Sequence, residues 1–137
     1  MWTCPSCNRT FRNTNQMHTC KKVDMESFFL RRPPHFRGLY ELIKKKTEMF
    51  GDFREEAVPP DVVFFKTKST FLAVKIKKKW IDIQFFLDHL EDVPPVKKHL
   101  QTSKRRIAHL VSVDCEEDID RQLMDWIKAS YELISGA

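Results

Sequence analysis

Three cysteines and one histidine, Cys4, Cys7, His18 and Cys20, fall within the stretch CPSCNRTFRNTNQMHTC. Thiolates and imidazoles at this spacing match a closed, tetrahedral zinc set of the structural kind. In the Cys4-x2-Cys7 turn, Pro5 and Ser6 suit a tight reversal that aims both sulfurs at one ion, and Asn8 tolerates the left-handed backbone that often follows. The ten residues between Cys7 and His18 leave room for a short strand and one helical turn. The His18-x-Cys20 spacing is shorter than that of a DNA-reading finger, so little helix is left for a major groove. Two rivals stand beside zinc. One is a thioredoxin-like redox pair, which needs a long helix where Arg9-Thr10-Phe11 reads as strand or turn. The other is a cluster of unligated thiols. No carboxylate lies between Cys4 and Cys20, which disfavours a catalytic ion with an open position and a nearby acid or base. The expected cofactor is a structural Zn2+ covered by Trp2, Phe11 and Met17, replacing a core too small to form alone. The leftover thiol, Cys115, reads as an inert residue near a helix start.

Catalytic constellations are otherwise incomplete. A restriction-type nuclease needs an Asp and then a strand bearing Asp/Glu-x-Lys, so that two carboxylates hold a divalent ion beside a lysine. Asp61 and Lys75 suit two of these places, but Ala73 stands where the second carboxylate belongs, and Asp82 substitutes only from the next strand. His35, His89, His99 and His109 are scattered with no Ser or Cys partner at a telling distance, and three glycines exclude a Gly-rich phosphate loop. The reading is therefore non-enzymatic. Two basic clusters offer binding chemistry instead: Lys75, Lys77, Lys78 and Lys79 with Trp80, and Lys104, Arg105 and Arg106. Lysines and arginines meet phosphates while an indole offers a stacking surface, provided the two clusters share one end of a sheet. The bland reading is that the lysines guard a hairpin against aggregation and Trp80 is core.

The elements that must position these residues follow from periodicity. Asp24 suits the N-cap of a short helix over Met25–Leu30, and Pro33-Pro34 ends it and starts another. Phe36, Leu39, Tyr40, Ile43 and Phe50 recur at helical spacing up to Gly51, with Lys44-Lys45-Lys46 on the solvated side. Val62–Phe65, Leu72–Ile76, Trp80–Phe85 and Ile107–Val113 read as strands, with a short helical stretch at Val96–Gln101. Asp114-Cys115-Glu116-Glu117 resembles a capping box for a last helix whose stripe is Ile119, Leu123, Trp126, Ile127, Tyr131 and Ile134, closed by Gly136. The expected class is α+β: residues 1–22 form the zinc finger, and residues 23–137 an antiparallel β-meander packed against two main helices.

Composition agrees. A 137-residue chain with 42% hydrophobic residues has room for one core domain and an appendage, and 24 Lys and Arg against 19 Asp and Glu permit contact with anionic polymers. No stretch is long and apolar enough to span a bilayer, and the polar start carries no secretory signal, so the expected compartment is the reducing cytoplasm.

Taken with the opening stretch, FFLRRPPHFRGLYELI, FLAVKIKKKWIDIQFFLD, TSKRRIAHLVSV and the closing WIKASYELI resemble a bacterial family catalogued as domain of unknown function 5655, in versions carrying the same small Cys-Cys-His-Cys module in front. The resemblance covers nearly the whole chain. It implies a compact α+β domain without an established activity, with relatives fused to restriction-type or other defence proteins and some labelled as transport proteins. It carries over no catalytic residue, while Cys4, Cys7, His18 and Cys20 match position by position. The function expected is therefore that of a zinc-containing protein that binds DNA or RNA through the basic hairpin or serves as a defence-associated adaptor. A protein-docking module without a nucleic-acid role and a metal-dependent nuclease are the alternatives. Elemental analysis of purified protein is expected to find about one zinc per chain, lost on Cys7→Ser; a chain without stoichiometric transition metal excludes the zinc module.

Overall fold

The computed structural model describes residues 1–5, 10–13 and 25–136. Of the four expected zinc ligands only Cys4 lies in that set; Cys7, His18 and Cys20 lie outside the described residues, as does the expected cap Asp24. Cys4 is buried and directly follows β1 (Trp2–Thr3), which pairs antiparallel with β2 (Thr10–Phe11).

After a 3-10 turn over Met25–Phe29, α1 runs from His35 to Glu48. It buries Phe36, Leu39, Tyr40 and Ile43, as the periodicity predicts, and also Thr47, while Phe50, expected on the same stripe, lies past the helix end and is only partly buried. The solvated Lys44-Lys45-Lys46 face holds only at Lys45. Lys44 Nζ pairs with Glu55 Oε1 at 2.7 Å, and Lys46 Nζ donates to Ile119 O at 3.3 Å. Tyr40 Oη donates to the other oxygen of Glu55, and burial together with that bond raises its pKa well above the ordinary phenol range.

Six antiparallel strands form the main sheet, in the order β3-β4-β5-β6-β8-β7. They are β3 (Arg54–Val58), β4 (Val62–Lys66), β5 (Thr70–Ile76), β6 (Ile81–Leu87), β7 (Val96–Ser103) and β8 (Arg106–Val113). Leu72, Val74 and Ile76 of β5 lie across from Phe85, Ile83 and Ile81 of β6, and all six are fully buried. Each such side chain stabilises the fold by about 1.5–3 kcal/mol relative to exposure, so this double row contributes substantially to core stability. The opposite face carries rows such as Val62, Lys75, Asp82 and Ser112, one residue from each of four neighbouring strands. The α+β class and antiparallel sheet expected from the sequence are present.

Two further expectations need correction, and one strand has no counterpart in the sequence reading. Val96–Gln101 is not a helix but most of β7, an exposed edge strand. Pairing on β6 leaves the far edge of β8 open, and the turn at 104–105 folds residues 96–103 back onto it. The charged strand β3, with no apolar alternation, lies in a stretch left unassigned by pattern. The last helix, α2, spans Arg121–Ser135 and is capped by Asp120, whose carboxylate accepts from Leu123 N at 2.9 Å. Asp114 and Glu117 belong to the preceding segment, where a single 3-10 turn over Glu116–Asp118 intervenes. Gly136 closes α2 in the left-handed conformation, φ 75°.

α2 packs on β5 and β6 through Leu123, Trp126 and Ile127, with the Trp126 ring stacked 5.4 Å from Phe85. A polar pin sits inside this interface. The buried Ser130 hydroxyl donates to Phe71 O (2.6 Å) and accepts from Phe86 N (2.9 Å). His109 is fully buried, as its place in a strand suggested, and its ring stacks on Phe85. Its Nδ1–H donates to Ile107 O (2.9 Å), and Nε2 accepts from Glu91 N (3.0 Å), so the neutral ring is fully bonded.

Ser130→Ala removes the partner of a buried carbonyl and of a part-buried N–H, and urea unfolding is expected to show a loss of about 2–4 kcal/mol. His109 has a lowered pKa, first from burial and further through the neighbouring His99 and His89 charges, while its bond to the Ile107 carbonyl and, less, Glu91 oppose the shift. The native state therefore binds fewer protons than the unfolded chain, so stability is expected to fall as pH drops below about 6.5. The exposed His89, raised by bonds to Asp88 and Glu91, works weakly in the opposite sense. A pH series of unfolding free energies checks this, and the acid-side slope is expected to flatten in His109→Gln.

Candidate nucleic-acid interface

The turn from β5 to β6 is closed by Lys77 N–H donating to Trp80 O at 2.9 Å, which leaves Lys78 and Lys79 exposed at its tip. Asp61 O accepts from Ile76 N at 2.8 Å and draws the start of β4 alongside. Arg32 arrives from the other side. Arg31 holds a positive φ of 61°, a costly conformation for a non-glycine residue, and the chain then enters Pro33-Pro34. The Arg32 guanidinium is fixed by two carbonyls, Leu30 O and Ile76 O, each at 3.1 Å. Its buried Nε has no hydrogen-bond partner among the described residues. Arg32, Asp61, Lys77, Lys78, Lys79 and Trp80 line an open concavity of about 430 Å³. Four cations face one carboxylate there, and Coulomb attraction for phosphate is strongest where such charges converge on a partly desolvated surface.

Trp80 is 39% exposed, which sets aside the reading that it is core. Lys97 of β7 holds its ring, with Nζ 4.8 Å from the ring centroid. Lys97 is itself fixed by Asp82 Oδ1 at 3.2 Å, which also accepts from Ser112 Oγ at 2.6 Å. Asp82 lies across from Lys75 in the register and is 8% exposed. Its carboxylate is thus occupied in holding a cation and a hydroxyl, and Ala73 faces Phe64 and Gln84 across the sheet, so no second carboxylate joins it on that strand. This arrangement lacks the paired carboxylates of a nuclease metal site.

The two basic clusters do not share an end of the sheet, contrary to expectation. Ile81 pairs with Val113 and Leu87 with Ile107, so the Lys77–Lys79 turn and the Lys104–Arg106 turn sit at opposite ends of β6 and β8. At roughly 3.4 Å per residue the strands hold them more than about 20 Å apart. Lys104, Arg105 and Arg106 are exposed. Arg105 stands within the field of Asp88, whose pKa is lowered mainly by its hydrogen bond from His89 and further by that arginine. Arg32 and Lys97 were missed from sequence because only the fold brings them to the hairpin.

Asp114, Cys115 and Asp118 bring three donor atoms within 4.8 Å of one another on the surface. The Cys115 thiol is pushed up to about 11, first by desolvation and then by a hydrogen bond with Glu117, so it stays protonated and unreactive near neutrality. No helix among the described residues is long and apolar enough to cross a membrane.

A model of the family described as Domain of unknown function (DUF5655) matches residues 25–134. The chain belongs to that family. The match takes in both helices and all six strands of the main sheet, so the concavity at the β5–β6 turn is part of the DUF5655 region. No curated protein and no solved structure matches the chain.

Asp82→Asn is expected to loosen Lys97 from the indole and make Trp80 more accessible to acrylamide, taking Trp80→Phe as the reference for its share of the emission. Quenching unchanged from the parent contradicts that arrangement.

Proposed function

We propose that the protein binds single-stranded DNA or RNA without catalysing a reaction, through the β5–β6 end of its sheet. The observation that carries this reading is the convergence of Arg32, Lys77, Lys78 and Lys79 around a half-exposed Trp80 in one concavity. A single strand suits it better than a duplex. The site offers no protruding helix for a major groove, whereas cations beside an exposed indole match a phosphate backbone with unstacked bases. Phosphates engage Arg32 and the lysine tip while a base stacks on Trp80, with Lys75 and Lys97 adding to the local positive potential. Lys104, Arg105 and Arg106 lie apart and form no part of this primary contact.

The N-terminal residues 1–22 act on this reading as a structural zinc module beside the 23–137 domain. In its support, Cys4 is buried directly after β1, and Thr10–Phe11 is a strand where a redox motif needs a long helix. Cys4, Cys7, His18 and Cys20 would hold the ion. When bound, it supplies folding free energy rather than chemistry.

Fluorescence anisotropy with a labelled single strand tests the binding. With about four phosphates neutralised, affinity is expected to fall roughly 50-fold between about 50 and 200 mM salt. Replacing Lys77, Lys78 and Lys79 with Glu is expected to abolish it. Binding unchanged in that variant, or none at low salt, overturns the reading, and Mg2+-dependent cleavage of the strand favours the nuclease alternative.

A further inference from the structure

α1 and α2 cover one face of the main sheet. The other face is open among the described residues, and its charges are unevenly satisfied. Glu56 is paired by Lys66, and Asp82 by Lys97 and Ser112. Lys75 and Lys98 make no ion pair among the described residues, which leaves the face with a positive excess. The edge strand β7 runs the length of this face. It starts at Val96, beside the Trp80 end, and finishes at Ser103, next to the Lys104–Arg106 turn.

The acidic loop that follows β6 does not interrupt this path. Glu91 N bonds His109 Nε2, and Asp92 approaches His99 Nε2 at 3.8 Å. His99 and His109 face each other in the register, and the His109 ring stacks on core Phe85, so the Glu91 backbone and the Asp92 carboxylate lie on the helix side, while the Glu91 carboxylate is taken up by His89. Lys98 and Leu100, across from Leu110 and Ala108, alternate to the open side. There Gln84, Leu100, Thr102, Ala108 and Leu110, together with Lys98 and the paired His99 and His109, line a mostly apolar hollow of about 230 Å³, and Leu100 is 67% exposed. An apolar hollow with a lysine beside it, midway between two cationic ends, offers bases a surface and phosphates a path.

We infer that the two separated basic turns are the ends of one track, so that a bound single strand runs from the Arg32–Lys77–Trp80 concavity along β7 and β8 to Lys104 and Arg106. This deepens the proposed function and rests on it. The track measures roughly 25 Å along eight-residue β8. That length takes at most about seven nucleotides at the 3.4 Å rise of a stacked strand, and fewer when bases are splayed. The substrate class is therefore an oligonucleotide of about five to seven nucleotides, not a mononucleotide or dinucleotide.

The test is a length series of labelled oligothymidylates of about three, six, nine and twelve nucleotides on the full chain, with oligouridylates in parallel to separate DNA from RNA. Affinity is expected to rise at least about tenfold from the shortest to about nine nucleotides and then to stay level. The salt slope of the long strand is expected to exceed that of the short one by about 1.5–2, from two or three additional phosphates. In Lys104→Glu/Arg106→Glu, and separately in Lys98→Glu, the gain from length is expected to disappear. Should the double variant fail to fold, the difference in salt slope on the unaltered protein decides the matter. Equal affinity at all lengths, or a gain that survives these substitutions, overturns the track while leaving the concavity as the binding site. Absence of binding at every length overturns both.

Discussion

Leu72, Val74 and Ile76 alternate with Ala73 and Lys75, and Ile81, Ile83 and Phe85 alternate with Asp82 and Gln84. One register between β5 and β6 therefore commits one face to the helices and the other to polar side chains, and a slip of one residue would exchange them. The helix stripes answer that face: α1 brings Phe36, Leu39, Tyr40 and Ile43, and α2 brings Leu123, Trp126 and Ile127. Ser130 fixes where α2 sits by satisfying one backbone group from each of two neighbouring strands. The same register places Asp82 beside Ser112 and within reach of Lys97, and so determines which side of Trp80 a cation covers.

Local strain and unsatisfied polarity gather at one end of this sheet. Arg31 adopts a left-handed backbone, and Arg32 spends two of its donors on main-chain carbonyls. A guanidinium pinned in this way has already lost most of its rotamer freedom, so meeting an anion costs it little additional entropy. The neighbouring lysines are exposed and mobile by nature, so they contribute attraction and salt dependence more than geometry. Edge protection explains lysines on a hairpin equally well when they stand alone. It gives no account of an arginine and an exposed indole at the same place.

Elements with a strong period were legible from sequence. The stripe Phe36–Ile43 and the alternation from Leu72 to Phe85 both repeat against a single buried surface, so local pattern carries them. Strand β3 was not legible because its residues are satisfied from afar: Glu55 by Tyr40 and Lys44, and Glu56 by Lys66. β7 buries almost nothing, so its sequence lacks an alternation to read, and its pairing is decided by the free edge of β8. The local sequence reads Asp114 as the cap of α2, but the structure places the cap at Asp120. Asp114 has the better local motif, yet Asp120 prevails because Ile119 is buried just before it and ends the short 3-10 turn. At the site, the lysines and Trp80 were visible as a cluster, whereas Arg32 and Lys97 reach it through the topology.

The most direct measurement of the central claim is a map of amide chemical-shift changes on adding a short single-stranded oligonucleotide to isotope-labelled protein. The largest changes are expected at Arg32, Lys77 to Trp80 and Lys97, with the helix-covered face unmoved. Changes concentrated on α1 and α2, or none at low salt, would contradict that claim.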